Sequence, residues 1–327
     1  MLKNEILRIE NLRVAYWSGG CELEAVRGVD LIVEAGTIVG LAGESGCGKS
    51  SVAKGLLRLL PEACRISANA MRFGTVDLLS ASDNEYRALR GRHIALVSQN
   101  AATAFNPLRT VGSQLREILR RNGVERRNVD TTLSNALKSV GFSDPERVLR
   151  HRPHQCSGGM LQRFLLGAVI AFRPKLIIAD EPTSALDATL QTRTLQLLRN
   201  LSIREGTAIL FITHDLNAAA TLCDRLIIMY GGLVVETGRT AEVLQASLHP
   251  YTRALLRASV LFSEAGSSEL TPIVGMPPSL LNMPTGCPFE PRCPLREEEC
   301  AHTIPALRTL SKGRRCRCHR MEEQEDA

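Results

Sequence analysis

The sequence predicts an α/β fold with a largely parallel central sheet. Three observations point there. Strand-like and helix-like segments alternate along the chain. One run, LIIA at residues 176–179, is apolar without a break, as expected of a strand covered on both faces. A glycine-rich turn at residues 43–50 stands between an apolar strand and a helix, at the carboxyl end of the strand, where such folds bind ligands.

The elements follow in order. Residues 7–16 read as a strand, and so do residues 37–42 after the Ala35–Gly36 turn. Residues 49–60 read as a helix that Pro61 ends. Residues 93–98 are a further strand. From Thr110 to about Phe142 the period turns helical, with many arginines on the polar face. A helical insertion at about 100–172 is expected there. Leu190, Leu197, Leu198 and Leu201 share one helical face, and Gly206 sits at its C-terminal cap. Residues 208–213 and 226–230 read as strands. Short helices are expected up to Val260. Ser, Gly and Pro then become dense over residues 263–284, which predicts a connector to a cysteine-rich tail. Two domains are expected, 1–238 and 239–327.

At 327 residues, with 44% hydrophobic and 23% charged residues, the chain can bury a sizeable core, and global disorder is excluded. The formal net charge of +6 suits an anionic partner such as a nucleotide or a membrane surface. No stretch reaches the about 20 apolar residues that a membrane-crossing helix needs. The longest, FLLGAVIAF at residues 164–172, reads as a buried helix. The N-terminal MLKNEILRIENL has scattered charges and no apolar core, so no signal peptide is expected. Without one, the ten cysteines point to reduced thiols rather than disulfides.

Two segments carry phosphate chemistry. GESGCGKS, residues 43–50, matches the phosphate-binding loop pattern. Gly43, Gly46 and Gly48 let backbone N–H groups turn inward around phosphate oxygens, in a cradle that includes Ser45, Cys47 and Ser51. Lys49 places a positive charge on the β- and γ-phosphates, and Ser50 offers a hydroxyl to Mg2+. The helix that follows points its positive end at the anion. LIIADE, residues 176–181, delivers Asp180 to the sheet edge, where it can hold Mg2+ through water. Glu181 comes next and can polarise an attacking water.

A third segment specifies the family. CSGGMLQR, residues 156–163, closely resembles the signature motif of ATP-binding-cassette (ABC) proteins. SALD, residues 184–187, resembles their D-loop, His214 their switch histidine and Gln99 their Q-loop glutamine. Tyr16 is placed like the aromatic that stacks on adenine, with Trp17 beside it as the other candidate. These motifs stand in family order from Tyr16 to His214. The resemblance implies a P-loop NTPase fold and an ATPase that uses ATP and Mg2+. Its catalytic residues would be Glu181 and His214, with Ser50, Gln99 and Asp180 around the metal. It also implies head-to-tail pairing of two such domains. Ser157, Gly158 and Gly159 of one would then meet the ATP held by the other. Cys156 replaces the usual leucine and Met160 the frequent glutamine, and both leave the donors intact.

The C-terminal region narrows the branch. GCPFEPRCP (residues 286–294), Cys300, RCRCHR (residues 315–320), HPYTRALLRA and VGMPPSL resemble the extension of oligopeptide/dipeptide importer ATPases. That resemblance implies a [4Fe–4S] cluster on Cys287, Cys293, Cys300 and Cys318. Cys316 competes for the fourth place, and Arg292 and Arg317 are expected to ease thiol ionisation. Chemistry alone leaves zinc and iron–sulfur both open. TAFNPLRT, residues 103–110, also resembles nickel-importer ATPases, whose shorter versions lack the cysteine tail. Peptides are therefore favoured over nickel or a metallophore. The implied partners are two transmembrane permease subunits and a second, related ATPase, with an extracytoplasmic binding protein acting indirectly. Nucleic acid is not an expected partner. Repair and ribosomal relatives carry long coiled coils or two cassettes, and neither occurs in this sequence. A peripheral place on the cytoplasmic face of the cell (inner) membrane follows from the same resemblance.

Overall fold

The computed structural model describes residues 4–259, 272–310 and 313–320. In chain order the strands are β1 (Glu5–Ser18), β2 (Cys21–Glu34), β3 (Ile38–Ala42), β4 (Cys64–Ser67), β5 (Ala70–Phe73), β6 (Val76–Asp77), β7 (Ile94–Val97), β8 (Leu176–Asp180), β9 (Ala208–Thr213), β10 (Arg225–Tyr230), β11 (Leu233–Arg239), β12 (Arg308–Thr309) and β13 (Arg315–Cys316). The helices are α1 (Lys49–Leu56), α2 (Asp83–Leu89), α3 (Val111–Arg121), α4 (Val129–Ser139), α5 (Pro145–Leu149), α6 (Gly158–Phe172), α7 (Ala188–Glu205), α8 (Leu216–Leu222), α9 (Thr240–Gln245), α10 (Pro250–Arg257) and α11 (Glu298–His302).

The described residues fall into two units. One comprises residues 4–6, Val33–Ile38 and Ser80–Phe211. In it β7, β8 and β9 lie side by side, β8 in the middle, and β7 runs parallel to β8 with Ile94 opposite Leu176. All five residues of β8 are buried, as its apolar run requires. Helices α3 to α6 occupy residues 111–172. Thr110 caps α3 by accepting a hydrogen bond from Ser113 N–H, and Val111, Leu115 and Leu119 face inward at helical spacing. Phe142 stacks on Phe164 of α6 with ring centroids 4.5 Å apart.

The other unit comprises Leu7–Ile32, Val39–Leu79 and the described residues from Ile212 onward. It holds two sheets. In one, the order is β2-β1-β5-β6, with β4 also on β1. In the other, the order is β12-β13-β11-β10-β3. There β3 and β10 run parallel, whereas β10–β11, β11–β13 and β12–β13 are antiparallel. The pairing is thus mixed. The strand before the glycine-rich loop has a parallel neighbour, and the C-terminal edge is built by hairpins.

Local departures from expectation have physical causes. The helix expected over residues 49–60 stops at Leu56. Arg58 enters the left-handed region at φ 47°, and its guanidinium donates to Leu78 O at 2.9 Å. In α7 the buried stripe is Thr194, Leu195, Leu198 and Ser202, and Leu190, Leu197 and Leu201 are half-buried beside it. The first part of the expected connector, through residue 271, lies outside the described residues. Residues 272–284 contain no helix or strand.

Candidate functional site

β3 is buried throughout and ends at Ala42, so the chain leaves the sheet directly into Gly43. Gly43 has φ 151° and Gly48 φ 106°. A Cβ at Gly43 would run into the carbonyl oxygen of Met229, and one at Gly48 into that of Ala25. Both positions therefore need glycine for lack of space as well as for conformation. α1 begins at Lys49 with no side-chain cap, which leaves the helix N-terminus without a competing acceptor from its own cap residue. The Lys49 ammonium is buried. It donates to Gly43 O at 2.7 Å and Glu44 O at 2.9 Å, with Cys47 Sγ at 3.6 Å. Burial pushes the Cys47 thiol up against the opposing pull of Lys49, so it stays protonated. Tyr16 and Ser51 share a hydrogen bond of 2.9 Å between their hydroxyl groups. Trp17 is 61% exposed. Of the two aromatic candidates, only Tyr16 is tied to the helix that follows the loop.

The carboxylates belong to the other unit. Asp180, the last residue of β8, is buried. Glu181 then turns into the left-handed region at φ 50°, a conformation that costs a non-glycine residue on the order of 1 kcal/mol. Its Oε2 accepts from Gln99 Nε2 at 3.2 Å, and its carbonyl oxygen accepts from Ser184 Oγ at 3.1 Å. Ser157 caps α6 by accepting from Met160 N–H at 3.2 Å, which leaves its own O–H as a donor. Ser157 and Gly158 are exposed. Gly159 faces Ala185 O, 3.0 Å from where a Cβ would lie. Asp187 caps α7 through Leu190 N–H at 3.0 Å. His214 is exposed and follows β9, just before Asp215 caps α8. Tyr16, residues 43–51 and His214 thus belong to one unit. Gln99, Ser157, Gly158, Gly159, Asp180 and Glu181 belong to the other.

The donor types fit the expected ligands. A backbone cradle with no room for a side chain at Gly43 or Gly48, an uncapped helix start and a buried ammonium held only by neutral acceptors together suit a phosphate chain. A serine hydroxyl, a carboxylate and an amide oxygen are hard ligands of the kind that Mg2+ takes.

The expected iron–sulfur cluster requires correction. Cys287, Cys293 and Cys318 feel one another's charge and that of Cys300. Among the described residues, however, no group of three or more His, Cys, Asp or Glu is placed to hold a metal ion. Burial pushes the Cys287 thiol up to about 11 and raises Cys293 and Cys318 as well, so without a metal these thiols stay protonated. Of the arginines expected to ease ionisation, Arg292 binds Glu44 and Tyr230, whereas Arg317 donates to Val234 O and Pro305 O and its charge still interacts with that of Cys287. Cys316 is buried in β13 opposite Glu236, whose charge adds to burial in raising it.

Residues outside the loop pattern meet its second position. Glu44 N–H donates to Tyr251 OH at 2.8 Å, and the Glu44 carboxylate is forked by Arg292 at 2.6 and 3.1 Å. Sequence reading noted Tyr251 only for the segment it sits in and Arg292 only as an aid to thiol ionisation. A contact across more than 200 positions of chain leaves no local pattern.

Two families match parts of the chain. Residues 26–184 match the ABC transporter family. Residues 235–300 match the family described as oligopeptide/dipeptide transporter, C-terminal region. The chain is 37% identical over 316 residues to the dipeptide transport ATP-binding protein DppD of Bacillus subtilis, covering 96% of this chain and 94% of that one. It is 39% identical over 316 residues to DppD of Haemophilus influenzae, covering 96% and 95%. Among solved structures it is similar to the dimeric bacterial ABC transporter cassette MJ0796. The TM-score is 0.65 at 26% identity, covering 72% of this chain and 98% of that one. The same values hold for a post-hydrolysis state of that cassette bound to ADP and Pi.

Proposed function

This chain belongs to the ABC transporter ATPases, in the branch that carries the oligopeptide/dipeptide C-terminal region, and from that premise we propose how it works as the ATP-hydrolysing subunit of a peptide importer. The observation that carries the reading is the presence of both family regions on one chain, with dipeptide-transport relatives that match over nearly their whole length. The functional division falls at 238/239, between the cassette and the C-terminal extension.

The roles follow from donor chemistry. Backbone N–H groups of residues 43–51 and the Lys49 ammonium bind the phosphates, and Tyr16 lies under the adenine. Ser50, Asp180 and Gln99 are the residues that would hold Mg2+, which would supply neutralisation of phosphate charge. Glu181 orients and polarises the attacking water. Its hydrogen bond to Gln99 ties that carboxylate to the segment where the helical region begins. His214 contacts the γ-phosphate. Ser157, Gly158 and Gly159 present donors to the nucleotide of a partner cassette, a role supported by the exposure of Ser157 and Gly158. No helix among the described residues is long and apolar enough to cross a membrane. As the ATPase subunit of a peptide importer, the chain is assigned to the cytoplasmic face of the inner membrane, docked on two permease subunits. A groove of about 650 Å3 in the first unit, lined by Arg90, Arg92, Ile118, Arg121 and Phe172, is the surface we assign to a permease segment.

Glu181→Gln tests the assignment. The variant is expected to keep ATP binding while hydrolysis at this subunit's site falls about 10^2- to 10^4-fold. Peptide uptake by proteoliposomes that carry the whole transporter should stop with it. Normal turnover in this variant, measured with the second site disabled, would reject the role of Glu181. Uptake of nickel but not of peptides by the wild-type assembly would reject the substrate class.

A further inference from the structure

The phosphate loop is held from behind by the C-terminal region, through one residue. Glu44 is the second residue of GESGCGKS, a position that the loop pattern leaves open. All three of its polar groups are engaged. Its carbonyl oxygen accepts from Lys49 Nζ at 2.9 Å and from Cys47 N–H at 3.3 Å. Its N–H donates to Tyr251 OH at 2.8 Å. Its carboxylate takes both arms of Arg292, Nη1 to Oε2 at 2.6 Å and Nη2 to Oε1 at 3.1 Å.

Both clamping residues are themselves fixed. Pro250 opens α10, and His249 caps it by accepting Tyr251 N–H on Nδ1 at 3.0 Å. Tyr251 is fully buried, with its ring 4.4 Å from Tyr230 and 5.4 Å from Phe289, centroid to centroid. The Arg292 side chain is 4% exposed. Beyond Glu44 it donates to Tyr230 OH at 3.0 Å, Ile273 O at 3.2 Å and Val274 O at 3.1 Å. A forked pair on a buried guanidinium with every other donor satisfied holds its geometry tightly.

We propose that Tyr251 and Arg292 are positioning residues of the nucleotide site: they clamp Glu44 so that its carbonyl keeps Lys49 Nζ in place inside the phosphate loop. The inference rests on the reading of residues 43–51 as that site. It gives the C-terminal extension a part in nucleotide binding. A staple that serves stability alone would lower the melting temperature and leave nucleotide affinity unchanged.

The test uses the full-length chain, titrated with a fluorescent ATP analogue and melted in parallel, and the assembled transporter for steady-state kinetics. Tyr251→Phe removes one hydroxyl and keeps the ring. Arg292→Ala removes the fork, and Arg292→Lys keeps charge without it. Lys49→Ala reports on the nucleotide reading itself. The expected result is that Tyr251→Phe and Arg292→Ala each weaken ATP binding about tenfold and raise KM while kcat at saturation is kept. Arg292→Lys should recover part of the loss. Arg292→Ala combined with Glu44→Gln should be no worse than either change alone. If Lys49→Ala abolishes binding but the clamp variants change only the melting temperature, the inference is overturned and the site reading stands. If Lys49→Ala binds normally, the site reading falls and the inference with it.

Discussion

Burial holds the imidazole of His249 neutral, with its pKa lowered to about 3, because a charged ring would be stranded away from water; the charges of Arg317 and Arg253 push the same way. A backbone hydrogen bond involving Arg317 opposes them without reversing the shift. The free imidazole lies near 6.5. Between those values the unfolded chain binds a proton that the folded chain refuses. Stability therefore falls as pH drops below about 6.5, by about 1.4 kcal/mol per pH unit from this residue, down to about 3. His249→Asn keeps a capping acceptor and removes the titration. The wild type should lose about 2 kcal/mol more stability than this variant between pH 6.5 and pH 5, read from urea midpoints. Equal losses would show that His249 does not control the slope. The same residue marks a limit of sequence reading. HPY was legible as a family segment, but its reach to Glu44 through Tyr251 was not.

The elements show where local pattern succeeds and where it fails. β8 and β9 are unbroken apolar runs, and their positions were legible from the residues alone. β2 was not, because Ala25 and Val26 are buried side by side before Val29, Leu31 and Val33 resume the alternation. The C-terminal edge depends on a residue that no pattern flags. Glu236 in β11 has no solvent exposure. Its carboxylate accepts from Leu248 N–H at 3.0 Å, His249 N–H at 2.9 Å and Arg314 Nη2 at 2.7 Å. Arg314 Nη2 also donates to Ala246 O. One carboxylate thereby fixes the turn into α10 and the approach of β13, whose Cys316 pairs with Glu236. Glu236→Ala would strand a buried guanidinium and two amides. It should cost about 3–5 kcal/mol by chemical unfolding. Breaking the exposed Arg127–Glu125 pair should cost under about 1 kcal/mol. A Glu236→Ala loss as small as that would refute the bracing role.

For the whole molecule, the strongest expectation concerns assembly. The signature residues Ser157 and Gly158 are exposed, and Ser157 keeps a hydroxyl proton to donate. The complex purified from membranes is expected to contain this chain once, a second and different ATPase, and two permease subunits. Intact mass measurement of that complex checks the count. Two copies of this chain with no second ATPase would overturn the heteromeric arrangement. Crosslinks from the arginine-lined groove should reach a permease. Crosslinks only to soluble proteins or nucleic acid would overturn the docking assignment.

The sequence by itself determined the chemistry-bearing segments: the phosphate loop, the Asp180–Glu181 strand end, the signature and the C-terminal family segments. The first two are short contiguous runs whose residue types are dictated by one local task, so spacing exposes them; the signature and the C-terminal segments were legible through their resemblance to a known family. Tertiary structure decided what those segments touch. It turned Arg292 from an expected aid to thiol ionisation into a partner of Glu44. It left Cys300 buried and Cys287, Cys293 and Cys318 half-buried, with no metal-holding group among the described residues. It also set the buried stripe of α7 and the mixed pairing at the C-terminal edge. The physical reason is common to all of these. Burial and ion pairing depend on which distant residues a fold brings within a few ångströms, and neither composition nor periodicity encodes that distance.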